Sequence, residues 1–180
     1  MARPAFDIEV DEATGEWRVD GMPMILVPRH FLVNNHLAVE QALGEAVYAD
    51  HLYAAGWKSA WQWCEKEAAH HGLSGAAVFG HYMKRLSQRG WAQFSVEAID
   101  PAAGTARVRA RNSVFVAQAE AGAGRKVCYM YLGWLAGALE FAGGSPVGSR
   151  RLRAVEVTCA CEGASEGCVF EVRPAAAAGG

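Results

Sequence analysis

The chain has 180 residues, 52% of them apolar, and a formal net charge of −2, which suits a single domain able to bury a full core. Its one basic run, Arg150, Arg151 and Arg153, is too short for the broad basic face that nucleic acid binding requires. The longest apolar run, Val127 to Ala142, is too short to span a bilayer comfortably and carries Glu140, so a buried core helix is the better reading.

Met1 to Val10 holds Asp7 and Glu9 and lacks the apolar stretch of an export signal. An alternation of apolar and acidic residues over Phe6–Val10, a turn over Asp11–Gly15 and a return over Glu16–Val19 predict an opening hairpin, at an edge or as an arm. Met22–Val27 is apolar until Pro28 breaks it. A helical region follows from about Leu32 to His71. Trp57, Ala60, Trp61, Cys64 and Ala68 form its stripe, Gly44 and Gly56 break or bend it, and Gly72 stops it. A second helix is expected over Gly75–Gln88, with Phe79, Tyr82, Met83 and Leu86 on one face.

The period then changes to two. Phe94, Val96 and Ala98, then Ala106, Val108 and Ala110, face one way, with Arg107 and Arg109 opposite. This predicts an antiparallel hairpin with one wet face. Ser113–Ala117 reads as a third strand, Lys126–Ala142 as a helix apolar nearly all round, and Arg151–Cys159 with Cys168–Val172 as a final strand pair. Residues 1–174 are expected to form one α/β (α+β) domain, followed by a low-complexity, disordered tail over 175–180.

The five cysteines are Cys64, Cys128, Cys159, Cys161 and Cys168. An odd count without an export signal argues against disulfides and for the cytoplasm, and clustering toward the C-terminus points to a metal. Glu156 and Cys159 end one strand, Cys168 opens the next, and Cys128 sits at the start of the buried helix. These four could supply the tetrahedral donor set of a structural zinc. Buried free cysteines are the simpler reading. Cys161 rivals Cys159, since residues two apart on a strand share a face.

The stretch Cys128-Tyr-Met-Tyr-Leu-Gly133-Trp134-Leu-Ala-Gly137, then Glu156-Val-Thr-Cys159-Ala-Cys-Glu-Gly163, then Cys168-Val-Phe170, resembles the 4-vinyl reductase domain family. It is most similar to the sensor domains of bacterial activators that respond to phenols and other aromatics. The resemblance covers mainly Val108–Val172. It implies a helical layer packed on an antiparallel sheet, usually dimeric, with a small-molecule pocket between helices and sheet. Carried over by position, it implies zinc held by Cys128, Glu156, Cys159 and Cys168, and output through a protein partner. Cys161 and a longer loop over Gly143–Arg150 depart from the family pattern. Phenol sensors carry a Trp three residues before a Ser. Here Ala110 precedes Ser113, so the implied ligand is a small hydrophobic or aromatic molecule other than phenol.

His81, Trp61, Phe79, Tyr82, Phe94 and Trp134 are the candidate pocket residues, although an aromatic stripe at helical spacing is more often plain core. No P-loop, G-x-G-x-x-G, HExxH or nucleophile elbow is present. Binding is therefore favoured over catalysis, with a reductase-type enzyme or accessory factor and a ligand-free dimeric interaction module as alternatives. Gly133 and Gly137 signal close packing, within the chain or across a dimer.

Overall fold

An Asp-Gly pair at 20–21 starts the architecture. Asp20 and Gly21 both take positive φ, 53° and 71°, the two-residue turn that matches strand twist in a tight hairpin. In the computed structural model, which describes residues 7–119, 124–149, 151–163 and 166–176, this turn joins β2 (Glu16–Val19) to β3 (Met22–Met24). With β1 (Glu9–Asp11) they form a small antiparallel sheet in the order β1-β2-β3. The opening hairpin is therefore an arm of three strands, with the third encoded by Asp20-Gly21.

The helical layer follows as α1 (Arg29–Leu43), α2 (Glu45–His71) and α3 (Ala76–Gln88). Gly44, at φ +81°, separates the first two, and Gly72, at φ +64°, closes α2. Gly56 does not bend α2, which runs unbroken past it. Its missing side chain makes room for Trp134, whose Cδ1 would lie 2.8 Å from a Cβ at that position.

A four-stranded antiparallel sheet of order β4-β5-β7-β6 supports these helices. Its strands are β4 (Gln93–Asp100), β5 (Thr105–Arg111), β6 (Leu152–Thr158) and β7 (Cys168–Pro174). Val108, Ala110, Ala154, Cys168, Phe170 and Val172 are buried, while Arg107 and Arg109 meet Glu97 and Glu171 in ion pairs on the opposite, wet face. The fold is thus the expected α+β arrangement of helices over an antiparallel sheet.

Two elements differ from expectation. Ser113–Ala117 is not a strand: Ser113 Oγ accepts the Phe115 N–H at 3.3 Å and caps the short helix α4 (Val114–Gln118), a role hydroxyl side chains fill well. The buried helix α5 runs only over Met130–Ala142, so Lys126–Tyr129 approaches it as a turn and Cys128 precedes it. Residues 177–180 of the expected tail lie outside the described residues.

α5 lies between α2 and the sheet. Its lone acid, Glu140, is fully buried and accepts Leu152 N–H at 2.8 Å and Ser149 Oγ–H at 2.6 Å, tying the end of α5 to the start of β6. Glu140→Ala should cost about 1–3 kcal/mol, because the buried Leu152 N–H loses its partner. An unchanged urea midpoint would contradict this. Among the described residues no helix is long and apolar enough to cross a membrane.

Candidate metal centre and ligand cavity

Cys128, Glu156, Cys159 and Cys168 are all buried, and one ligand atom from each lies within 4.8 Å of the others. Three local features bring them together. The turn ahead of α5 holds Cys128, whose N–H donates to Glu156 Oε2 at 3.0 Å. β6 bulges between Glu156, paired with Phe170, and Thr158, paired with Val169. In a regular strand Glu156 and Cys159 would face opposite sides; one extra residue reverses that parity and sends both inward. Cys168 faces the same side from β7.

Cys161 stays outside the group. β6 has ended by Thr158, and Ala160–Glu162 form a single 3-10 turn closed by Gly163 at φ +85°. Cys159 and Cys161 are therefore not two apart on one strand, and only Cys159 joins the group. Burial pushes the Cys161 thiol up to about 11.

The donor set fits a tetrahedral dication. Cys128 Sγ lies 3.5 Å and Cys159 Sγ 3.6 Å from Cys168 Sγ, close to the edge of about 3.8 Å for sulfurs each 2.3 Å from zinc. All the cysteines are free thiols. Glu156 Oε1 is buried with no hydrogen-bond partner among the described residues. Burial and the charge on Cys159 push the Glu156 carboxyl up to about 8. Cys159 is drawn far below the thiol range by hydrogen bonds with Cys128 and Cys168. Four groups that ionise together only around a cation, with one oxygen left over, form a cluster able to hold a metal ion.

A second group is built on Glu67 of α2, itself 1% exposed. Glu67 Oε2 is 2.8 Å from His81 Nε2, 3.4 Å from His71 Nε2 and 4.0 Å from Arg85 Nε. Arg85 also pairs with Asp20, so this charge network fastens the arm to α3.

Beneath the arm lies a cavity of about 540 Å³. Trp17, Val19, Met24 and the exposed chain Ile25–Val27 form one wall, and Trp63, Tyr82, Leu86, Trp91, Val114 and Trp134 form the other. Tyr82 and Trp134 of the six candidate pocket residues line it. The rest are placed elsewhere. Trp61 stacks on Trp57 at 5.3 Å, Phe79 is fully buried, and His81 stacks on Trp63 at 5.6 Å while bonded to Glu67. Phe94 borders a smaller cavity of about 300 Å³ between α3 and β4. Arg29 and Arg89, also on the larger wall, were not singled out from sequence. Arg85 and Arg89, four apart at the end of α3, resemble ordinary surface cations at a helix C-terminus.

Fold and site together define a helix-over-sheet domain with a buried three-thiol, one-carboxyl cluster and an arm-covered apolar cavity. The chain belongs to the family described as a domain of unknown function (DUF5943), which matches residues 2–97. That match takes in the arm, the helical layer and most of the cavity wall, and stops short of the cysteine cluster. No curated protein matches the sequence. Among solved structures the chain is similar to the phenol-responsive sensory domain of the transcription activator PoxR with phenol. Identity is 17% and the TM-score 0.73, covering 93% of this chain and 84% of that one. It is also similar to a trafficking protein particle complex subunit 3 from Naegleria fowleri covalently bound to palmitic acid. There identity is 14% and the TM-score 0.56, covering 82% of this chain and 95% of that one. At these identities the likeness speaks for the fold.

Proposed function

We propose that residues 1–174 form one zinc-braced, cytoplasmic small-molecule-binding domain of the 4-vinyl reductase type. It binds a small hydrophobic or aromatic molecule and passes the signal, or the molecule, to a protein partner. The cavity carries this reading: about 540 Å³ falls in the range of ordinary ligand sites, which are apolar with a few polar groups. Both solved neighbours support it: one holds phenol and the other is covalently bound to palmitic acid. Zinc on Cys128, Glu156, Cys159 and Cys168 would offset half of the cluster's negative charge and pin the entry of α5 to the β6–β7 hairpin. Phe31, Val39 and Leu43, exposed on α1 at intervals of eight and four residues, offer an apolar face for a second copy.

Tryptophan fluorescence titration with naphthalene, indole, 2-naphthol and decanol tests the cavity, since Trp63, Trp91 and Trp134 line it. Saturable quenching is expected. Ser59→Trp places a bulky ring at an exposed position on the cavity rim. It should weaken binding at least about tenfold, ~1.4 kcal/mol, with the melting temperature unchanged. No saturable change with any probe would overturn the reading.

A further inference from the structure

Resting on the cavity reading above, we propose that the ligand is an apolar monocarboxylate, an aryl or alkyl acid whose carboxylate pairs with Arg89, with Arg29 as a second cation. The charge inventory of the wall is one-sided. Arg29 and Arg89 line the cavity together with Ser59 and Gln88, and among the described residues no Asp or Glu does, in a chain whose net charge is −2. The acids nearby are already engaged: Asp20 pairs with Arg85, and Glu67 with His81 and His71. Among the described residues neither Arg89 nor Arg29 has an ion-pair partner. Arg29 gives one hydrogen bond, from Nη2 to Asn112 O at 2.8 Å. Arg89 lies over the Trp63 ring, 5.0 Å from its centroid, which holds the guanidinium by cation–π attraction. The Nε atoms of both arginines are buried without a hydrogen-bond partner among the described residues. Burial also draws Arg89 below the usual arginine range.

A half-buried cation without a counterion is costly, and a carboxylate is the group that a guanidinium fork binds best. The remaining wall is aromatic and aliphatic, so the rest of the ligand is apolar. Arg85, one turn earlier on the same helix, shows the contrast: its carboxylate comes from Asp20 of the chain itself, whereas Arg89 faces a space large enough for an external one.

Matched pairs separate this proposal from the cavity reading. 2-Naphthoate against 2-naphthol, and decanoate against decanol, are titrated into the full chain, wild type and Arg89→Gln, by fluorescence and calorimetry. Each acid should bind at least about tenfold tighter than its alcohol, the scale of one charge-assisted contact. Arg89→Gln should erase that preference by weakening the acids at least about tenfold more than the alcohols, and Arg89→Lys should restore part of it. The better of the two acids identifies the ligand as aryl or alkyl. Alcohols binding as tightly as acids, or an acid preference that survives Arg89→Gln, would overturn the carboxylate assignment while the cavity reading stands. Failure of all four probes, and of naphthalene and indole, to bind would overturn both.

Discussion

Protein carrying Cys168→Ser is expected to lose most of its zinc, while Cys161→Ser keeps the wild-type complement of about one ion per chain. Cys168 Sγ sits between Cys128 Sγ and Cys159 Sγ at 3.5 and 3.6 Å, so its loss removes a central donor. Cys161 lies on the 3-10 turn beyond the group. Metal bound only by the folded chain adds directly to stability. The loss should therefore lower stability by about 3 kcal/mol or more, roughly 10 °C for a domain of this size. A strong chelator should act on the wild type in the same way and have little effect on Cys168→Ser. Elemental analysis of untagged protein reads the first effect, and thermal melts with and without chelator read the second. Zinc absent from the wild type, or retained by Cys168→Ser, would refute the assignment.

The cluster was legible in the sequence only in part: spacing pointed to a metal but left buried free cysteines as the simpler reading, and the set Cys128, Glu156, Cys159 and Cys168, which the structure brings together, came from the family resemblance. The choice between Cys159 and Cys161 was not legible. It depends on the bulge opposite Val169 and on where β6 gives way to a 3-10 turn, and the period-two rule assumes a strand that continues. The helices and the main sheet followed from periodicity and glycine stops, although Ser113 acted as a helix cap where its apolar neighbours suggested a strand. The cavity was the least legible part. Trp61 and Trp63 are both buried tryptophans of α2, yet one packs on Trp57 and Phe141 and the other lines a cavity. The difference arises from an arm held some 65 residues away in sequence by Asp20 and Arg85, and local spacing carries no trace of such a contact.

Gly137→Ala and Gly80→Ala, both glycine to alanine within a helix, are expected to change stability in opposite directions. Alanine is favoured over glycine in a helix by about 1 kcal/mol. At Gly80 of α3 an added Cβ meets nothing within 4 Å, so that preference should appear as a gain of about 0.5–1 kcal/mol. At Gly137 the same atom would collide with the Trp57 carbonyl oxygen and lie 2.9 Å from Trp57 Cα. These are backbone atoms of α2 and no side chain can rotate away, so the helices must separate. Overpacking of this kind costs about 1–3 kcal/mol even where side chains adjust, and a rigid backbone contact should place Gly137→Ala at about 3 kcal/mol or beyond. Gly133 makes a similar approach, to Tyr53 O and 2.9 Å from Trp57 N, so the pair of glycines is spent on packing α5 against α2 inside the chain. Urea unfolding of both variants measures the contrast. A gain in both would mean that α2 and α5 do not meet as described. A loss at Gly137 alone would also bear on ligand binding, because lifting α2 from α5 shifts Trp63 and Trp134, which share the cavity wall from these two helices.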